Sequence, residues 1–265
     1  MAEGDFDGTR FETLGEGPPV VLVHGLGLNR EMWDWQLPAL APRFRLLRYD
    51  LLGHGESVKP PGPYDLARFV DQLCGLLDHV EIERAAVVGF SLGGMINRAF
   101  AIAHPDRVSA LAILNSVHGR TRAEAAAVRA RVDQAAEGGP EATVAAALER
   151  WFTPGFAARA PEVLDRVRRW VLSNDPEIYP AIYRVLDEGD AELVEAAAAI
   201  RCPTLVVTGG EDRGNSPDMA RRLAALIPGA RAEILPGLRH MGLAEDPAAF
   251  NALLVPFLER AAAAS

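Results

Sequence analysis

Six short apolar runs recur along the chain, and segments with helical periodicity separate most of them. The runs are rich in β-branched residues and lack regular polar alternation, which is typical of strands buried on both faces of a parallel sheet. Such a sheet, covered by helices on both faces, gives an α/β fold. Strands are predicted at Pro19 to His24, Arg45 to Asp50, Ala85 to Phe90, Val108 to Asn115, Pro203 to Gly209 and Ala230 to Pro236.

Two further patterns belong to the same predicted core. Asp7-Gly8 is a turn signal near the N-terminus and predicts a hairpin that adds an antiparallel edge to the sheet. Apolar residues recur at i, i+3, i+4 and i+7 between Leu66 and Val80, which predicts a helix packed on the sheet.

The pattern changes between residues 121 and 199, where helical periodicity continues without any strand signal. We therefore predict a core formed by residues 1–120 and 200–265, interrupted by a helical cap at residues 121–199. Glycine and proline mark its internal breaks, at Gly138-Gly139-Pro140, Thr153-Pro154-Gly155 and Asp175-Pro176.

Composition excludes several classes of protein. The formal net charge of −9 argues against a nucleic-acid partner, because binding to phosphates needs a clustered basic surface. The N-terminus lacks a signal-peptide pattern and no apolar run is long enough to cross a membrane, so a soluble, cytoplasmic protein without membrane partners is expected. The two cysteines, Cys74 and Cys202, are too few for a metal site or a disulfide framework.

The segment VVGFSLGG at residues 87–94 contains the pattern G-x-S-x-G around Ser91. In this pattern a sharp turn between a strand and a helix lifts a serine nucleophile above the end of the strand, and small residues on either side avoid a clash. A buried strand precedes Ser91, and an amphipathic helix is predicted from Met95 to His104. The alternative is that Ser91 is an ordinary turn residue.

A serine hydroxyl needs a general base and a carboxylate that orients it. His240 follows the last predicted strand on a loop that reaches the same sheet edge as Ser91, so it is the preferred base among six histidines. Asp212, just past another strand, is the predicted acid, with the adjacent Glu211 as the alternative. The acidic residues of the insertion are expected at the surface, namely Asp187, Asp190 and Glu192.

Two backbone N–H groups are predicted to stabilise an oxyanion. Leu92 follows Ser91 at the start of the predicted helix, where the helix dipole favours negative charge. The run His24-Gly25-Leu26-Gly27 follows the first buried strand and resembles loops that supply a second donor, here the N–H of Leu26.

With these parts in place, the chain resembles the α/β-hydrolase superfamily over essentially its whole length. YDLLGHGES at 49–57 and HPDRV at 104–108 resemble recurring segments of that family. GGMINRAFAIAHPDRV and ALERWFTPGF at 147–156 are similar to 3-oxoadipate enol-lactonases, which hydrolyse a small lactone and carry a compact helical cap. Serine at position 91 argues against dehalogenases and epoxide hydrolases, which use aspartate there.

The resemblance implies a serine hydrolase that cleaves a carboxylic ester or small lactone through an acyl-enzyme, without metal or organic cofactor. Acyl-homoserine-lactone hydrolase and aryl esterase are alternatives. A C–C bond hydrolase, a perhydrolase or a low-turnover receptor for a small ligand would use the same fold differently. Both a monomer and a homodimer are compatible with the sequence. Aromatic residues of the cap are expected to form a lid over Ser91: Trp151, Phe152, Trp170 and Tyr183.

Overall fold

An eight-stranded sheet forms the centre of the molecule in the computed structural model, which describes residues 2–264. The strand order is β1-β2-β4-β3-β5-β6-β7-β8. β1 and β2 form the predicted N-terminal hairpin, and all pairs from β4 to β8 are parallel. The strands are β1 (Ala2–Phe6), β2 (Thr9–Leu14), β3 (Pro19–Val23), β4 (Arg45–Tyr49), β5 (Ala85–Phe90), β6 (Val108–Leu114), β7 (Thr204–Gly209) and β8 (Arg231–Leu235).

Helices cover both faces of the sheet, as the sequence pattern predicts. α2 and α3 pack on one face, and α10 packs on the other. The helices are α1 (Leu37–Leu40), α2 (Leu66–His79), α3 (Leu92–Ala103), α4 (Arg122–Trp151), α5 (Pro154–Arg159), α6 (Pro161–Leu172), α7 (Tyr179–Ala196), α8 (Pro217–Leu226), α9 (Gly242–Glu245) and α10 (Pro247–Ala263).

The two faces of the central strands divide the hydrophobic core into two clusters. Along β3, Val21 and Val23 join one cluster while Val20 and Leu22 join the other, because successive side chains of a strand point to opposite faces. Both sets are buried, which explains why the strands appear in the sequence as continuous apolar runs.

Four helices, α4 to α7, lie between β6 and β7, in the segment where the sequence shows no strand signal. α4 is kinked at the predicted break: Gly138 and Gly139 have non-helical dihedrals, and Gly139 has φ 63°. Pro140 follows the kink and restarts the helix, since proline is tolerated in a first turn.

The helix after the nucleophile candidate begins earlier than predicted. α3 starts at Leu92 and not at Met95. Gly93 and Gly94, which periodicity alone does not recognise as helical, form its first turn. The turn between β5 and α3 is therefore a single residue, Ser91.

Candidate active site

Ser91 occupies a strained corner between β5 and α3. Its backbone has φ 54° and ψ −112°, a conformation that costs a non-glycine residue about 1–3 kcal/mol. The flanking glycines make the corner sterically feasible: a Cβ on Gly89 would overlap the backbone carbonyl of Gly93, and a Cβ on Gly93 would lie 2.6 Å from the carbonyl oxygen of His24. This geometry matches a nucleophile elbow and not an ordinary turn.

His240 and Asp212 meet at the carboxyl edge of the sheet. His240 Nδ1 lies 2.7 Å from Asp212 Oδ2, and both side chains are buried. The other oxygen of Asp212 accepts hydrogen bonds from the N–H groups of Gly214 and Asn215, each at 3.0 Å. Asn115 Nδ2 donates to Oδ2 at 2.9 Å. The carboxylate is thus held in one orientation beside the imidazole.

These contacts determine the ionisation of Asp212. Burial alone would raise the pKa of this carboxyl, but the charge and hydrogen bond of His240 and the donors from Asn115 and Asn215 outweigh burial and hold the pKa below its ordinary value. An ionised Asp212 fixes the proton of His240 on Nδ1. Nε2 is then free to accept a proton.

The other acidic candidates lie apart from His240. Glu211 is exposed, and its carboxylate lies 3.7 Å from Arg239 Nε. Glu192 is exposed as predicted. The surface prediction is wrong for Asp190, which is buried and accepts the N–H groups of Gly119 and Arg120. It secures the chain just before α4, a contact between distant segments that periodicity does not reveal.

Asp187 is also less exposed than predicted. Its carboxylate is 10% exposed and lies 3.4 Å from Arg129 Nε across α4 and α7. The face of α7 that carries Asp187 is therefore covered by α4, and neither carboxylate contacts His240.

Two other histidines have structural roles near the site. His24 Nε2 accepts the N–H of Leu51 at 2.9 Å, and its Nδ1 donates to the carbonyl of Gly25. His54 Nε2 accepts the N–H of Gly27 at 3.0 Å. Burial lowers the pKa of His24 to about 4 and that of His54 to about 3, so both rings are neutral near pH 7. They hold the loop after β3 in place.

That loop brings a second backbone donor towards Ser91. A Cβ on Gly25 would lie 3.1 Å from Ser91 Cβ, so the two segments are in close contact. Within residues 2–264, the N–H groups of Leu26 and Leu92 have no protein acceptor. Leu92 opens α3, where no preceding helical carbonyl is available. Two free donors beside a serine can bind an oxyanion.

A cavity connects Ser91 and His240 to the inserted helices. The cavity is open to solvent, and its free space, counted together with that opening, is about 670 Å³. Of the four aromatic residues predicted to form its lid, the structure places Trp151 and Tyr183 in the lining. The Trp151 ring lies 5.8 Å from the His240 ring.

The prediction is wrong for the other two aromatics. Phe152 is 2% exposed and stacks on Phe156, 5.6 Å between centroids, in the core beneath the cap. Trp170 packs edge-on against Trp35 and donates its Nε1 hydrogen to Glu31. Neither residue lines the cavity, because the Phe152 side chain leaves the end of α4 towards the core and Trp170 packs into the same core cluster.

Sequence reasoning missed the polar residues of this cavity. Arg120, Arg131 and Arg150 all line it, together with Tyr179. An arginine near the pocket would suit a carboxylated substrate, but periodicity does not select these arginines among the many in the insertion. Asn215, whose amide lies 3.1 Å from His240 Nδ1, follows Asp212 closely and could have been found by its position after β7.

Residues 2–264 contain neither a cluster of metal-ligating side chains nor a helix suited to a membrane. No cluster of three or more His, Cys, Asp or Glu residues in this part of the chain could hold a metal ion. None of the helices there has the length and apolar character needed to cross a membrane.

Comparisons with known proteins identify the family of the fold. A family model described as the α/β hydrolase fold matches residues 18–247. Over 252 residues, the chain is 29% identical to 3-oxoadipate enol-lactonase 2 from Acinetobacter baylyi, covering 94% of this chain and 92% of that protein.

A second relative has a different name, and a similar solved structure is again named as an enol-lactonase. Over 245 residues, the chain is 29% identical to (E)-2-((N-methylformamido)methylene)succinate hydrolase, also from Acinetobacter baylyi, with 92% of each chain covered. The crystal structure of the enol-lactonase from Burkholderia xenovorans LB400 superposes with a TM-score of 0.90 at 34% identity, covering 97% of this chain and 100% of that one.

Proposed function

The chain belongs to the α/β-hydrolase family and is a hydrolase, and on this premise we propose that it cleaves a carboxylic ester or small lactone with Ser91 as nucleophile. The resemblance to the esterase and lactonase group seen in the sequence is confirmed by the similarity to enol-lactonases. The observation that carries the proposal is the 2.7 Å contact between His240 Nδ1 and Asp212 at the cavity that Ser91 lines.

The proposed reaction begins when His240 Nε2 takes the proton of the Ser91 hydroxyl and the serine oxygen attacks the carbonyl carbon. The N–H groups of Leu26 and Leu92 stabilise the oxyanion of the tetrahedral intermediate. Collapse of that intermediate breaks the ester bond, and the leaving oxygen takes the proton from His240. In a lactone this oxygen stays tethered to the acyl group.

Hydrolysis of the acyl-enzyme completes the cycle. His240 removes a proton from water, the hydroxide oxygen attacks the acyl carbon, and Ser91 leaves with the proton returned by His240. Asp212 stays ionised throughout and stabilises the imidazolium at each step.

Uncompensated positive charge in the cavity supports a substrate that carries a carboxylate. Arg131 Nε donates to Tyr183 Oη, and Arg150 donates to the carbonyl of Ala146. Within residues 2–264, no carboxylate lies within 4.0 Å of either guanidinium. Burial lowers the pKa of Arg150, and the like charge of Arg131 lowers it further. An anionic ligand would relieve this repulsion.

The third cavity arginine supports the same proposal. The Arg120 side chain is 4% exposed, and its charge is partly compensated by the Asp190 carboxylate 4.0 Å away, but its Nε has no hydrogen-bond partner in the described chain. A buried guanidinium N–H without an acceptor is costly, so a ligand oxygen is a suitable partner. Residues 121–199 then act as a cap that encloses a small-molecule substrate, while the core performs the chemistry.

The first experiment compares wild type with Ser91→Ala on short-chain aryl esters, acyl-homoserine lactones and 3-oxoadipate enol-lactone. We expect turnover on at least one of these substrate classes and none above background in the variant. Wild type without activity on the panel, or a variant that keeps its rate, would contradict the assignment of Ser91.

A second experiment tests the carboxylate. Loss of one charged hydrogen bond predicts that Arg150→Gln lowers kcat/KM about 10-fold to 100-fold for an aryl hemisuccinate, with little change for the neutral aryl pentanoate. Arg129→Gln is the matched control, since Arg129 lies on the same helix, is 68% exposed and does not line the cavity. Equal losses on both esters would refute the proposed role.

A further inference from the structure

The loop that carries the proposed Leu26 donor is a tight turn. Leu28 N–H donates to the carbonyl of Gly25 at 3.2 Å, and Gly27 has φ 73°, a conformation that glycine adopts without strain. The C=O and N–H of a trans peptide point in opposite directions. The direction of the Gly25 carbonyl therefore sets the direction of the Leu26 N–H.

The peptide between Gly27 and Leu28, at the end of this turn, is held on both sides. Its N–H, from Leu28, donates to the Gly25 carbonyl at 3.2 Å, and the same carbonyl also accepts the hydrogen bond from His24 Nδ1 at 2.8 Å. Its carbonyl, from Gly27, accepts a hydrogen bond from Asn174 Nδ2 at 3.0 Å. A chain of two peptide planes thus connects Asn174 to the Leu26 N–H.

Asn174 comes from the inserted helices, in the connection between α6 and α7, and is 5% exposed. Its Nδ2 also lies 2.9 Å from the carbonyl oxygens of Trp170 and Val171 at the end of α6. Three carbonyls around one amide nitrogen fix the orientation of the side chain, because the flipped amide would set oxygen against oxygen.

The other end of the amide has no compensating contact. Asn174 Oδ1 is buried without a hydrogen-bond partner. An unpaired buried acceptor is unfavourable and offsets part of what the helix-end contacts contribute. The contact that this side chain adds beyond closing α6 is the one to Gly27.

We propose that Asn174 is a positioning residue that aims the Leu26 N–H at the oxyanion. The inserted helices then contribute to transition-state stabilisation as well as to enclosure of the substrate. This inference rests on the proposed function of Ser91 and its oxyanion donors.

The test measures the rate at which a fluorophosphonate probe labels Ser91, together with kcat and KM on an aryl ester. The phosphonyl oxygen occupies the position of the oxyanion, so labelling does not depend on the natural substrate. Asn174→Ala removes the donor, and Asn174→Asp keeps the shape but places an oxygen near the Gly27 carbonyl. Ser173→Ala is the control, because Ser173 Oγ donates to the same Trp170 carbonyl at 2.8 Å without contacting Gly27.

We expect both Asn174 variants to lose about 10-fold to 100-fold in labelling rate and in kcat, with KM nearly unchanged, since only the transition state uses the donor. Ser173→Ala should label at the wild-type rate. If Asn174→Ala fails to fold by thermal melting, the isosteric Asn174→Asp decides.

Two outcomes would overturn the inference alone. These are wild-type labelling in both folded Asn174 variants, and an equal loss in Ser173→Ala, which would show that only the helix end matters. If wild type is not labelled at Ser91, the proposed function fails and this inference fails with it.

Discussion

Replacing Asp212 with asparagine tests whether this carboxylate orients His240 and stabilises its charged form. An asparagine whose oxygen accepts the Gly214 and Asn215 N–H groups must turn its NH₂ towards His240. Nδ1 of the imidazole must then accept a hydrogen bond, and the ring proton moves to Nε2. The ring in that tautomer cannot accept the proton of Ser91.

The size of the effect follows from the 2.7 Å distance between His240 Nδ1 and Asp212 Oδ2. Two unit charges at this distance interact by about 6 kcal/mol at an effective dielectric constant of about 20. In the proposed reaction His240 carries a positive charge in the transition state, so its attraction to Asp212 stabilises that state. Since an amide dipole retains part of it, we expect kcat to fall about 10³-fold to 10⁴-fold.

The assay compares kcat for wild type, Asp212→Asn and Glu211→Gln on an activated aryl ester, with thermal melting to confirm folding. Glu211 is the matched control, because it precedes Asp212 in the chain and its carboxylate faces Arg239, not His240. We expect its kcat to stay near the wild-type value. A folded Asp212→Asn variant within about tenfold of wild type would refute the reasoning, as would an equal loss in Glu211→Gln.

Three other predictions concern the framework of the site. Gly93→Ala places a Cβ 2.6 Å from the carbonyl oxygen of His24, so we expect a loss of about 3 kcal/mol in urea unfolding and no activity, whereas Gly155→Ala, with 4.0 Å of clearance, should be neutral. Burial lowers the pKa of His24 to about 4 and that of His54 to about 3 in the folded protein. Between these values and the ordinary pKa of 6.5, the two histidines bind protons only in the unfolded chain. The stability present above pH 6.5 is therefore lost as pH falls, by about 2 kcal/mol per histidine at pH 5, which urea unfolding at pH 7 and pH 5 would measure. Glu245→Gln weakens the hydrogen bonds that the N–H and hydroxyl of Thr153 donate to the Glu245 carboxylate. We expect the free energy of unfolding in urea to fall by about 1–2 kcal/mol while kcat is preserved.

Local sequence signals were sufficient to predict the sheet and the residues at its edge. Buried parallel strands need apolar side chains on both faces, so β3 to β7 leave mainly apolar runs in the sequence, whereas β8 lies at the sheet edge and is only partly buried. Ser91, Asp212 and His240 each follow such a run within a few residues, and parallel strands bring these ends to one edge.

The cavity could not be predicted in the same way, because it depends on the rotation of helices packed over the sheet. Trp151 is the last residue of α4, and Phe152 follows it in an extended conformation, with φ −115° and ψ 147°, so the two neighbouring side chains point in different directions. Only Trp151 faces the cavity, while Phe152 enters the core. A count of aromatic residues does not distinguish the two.

The residues that the sequence predicts and those that it does not have different proposed roles, catalysis and substrate binding. Ser91, Asp212 and His240 belong to the sheet edge, whereas Arg131 and Arg150 reach the cavity from α4. Substitutions of Arg131 or Arg150 in the inserted helices should therefore alter which ester or lactone binds while the labelling rate of Ser91 stays constant. Asn174 is the expected exception, because it comes from the same inserted helices but contacts the loop that carries the oxyanion donor.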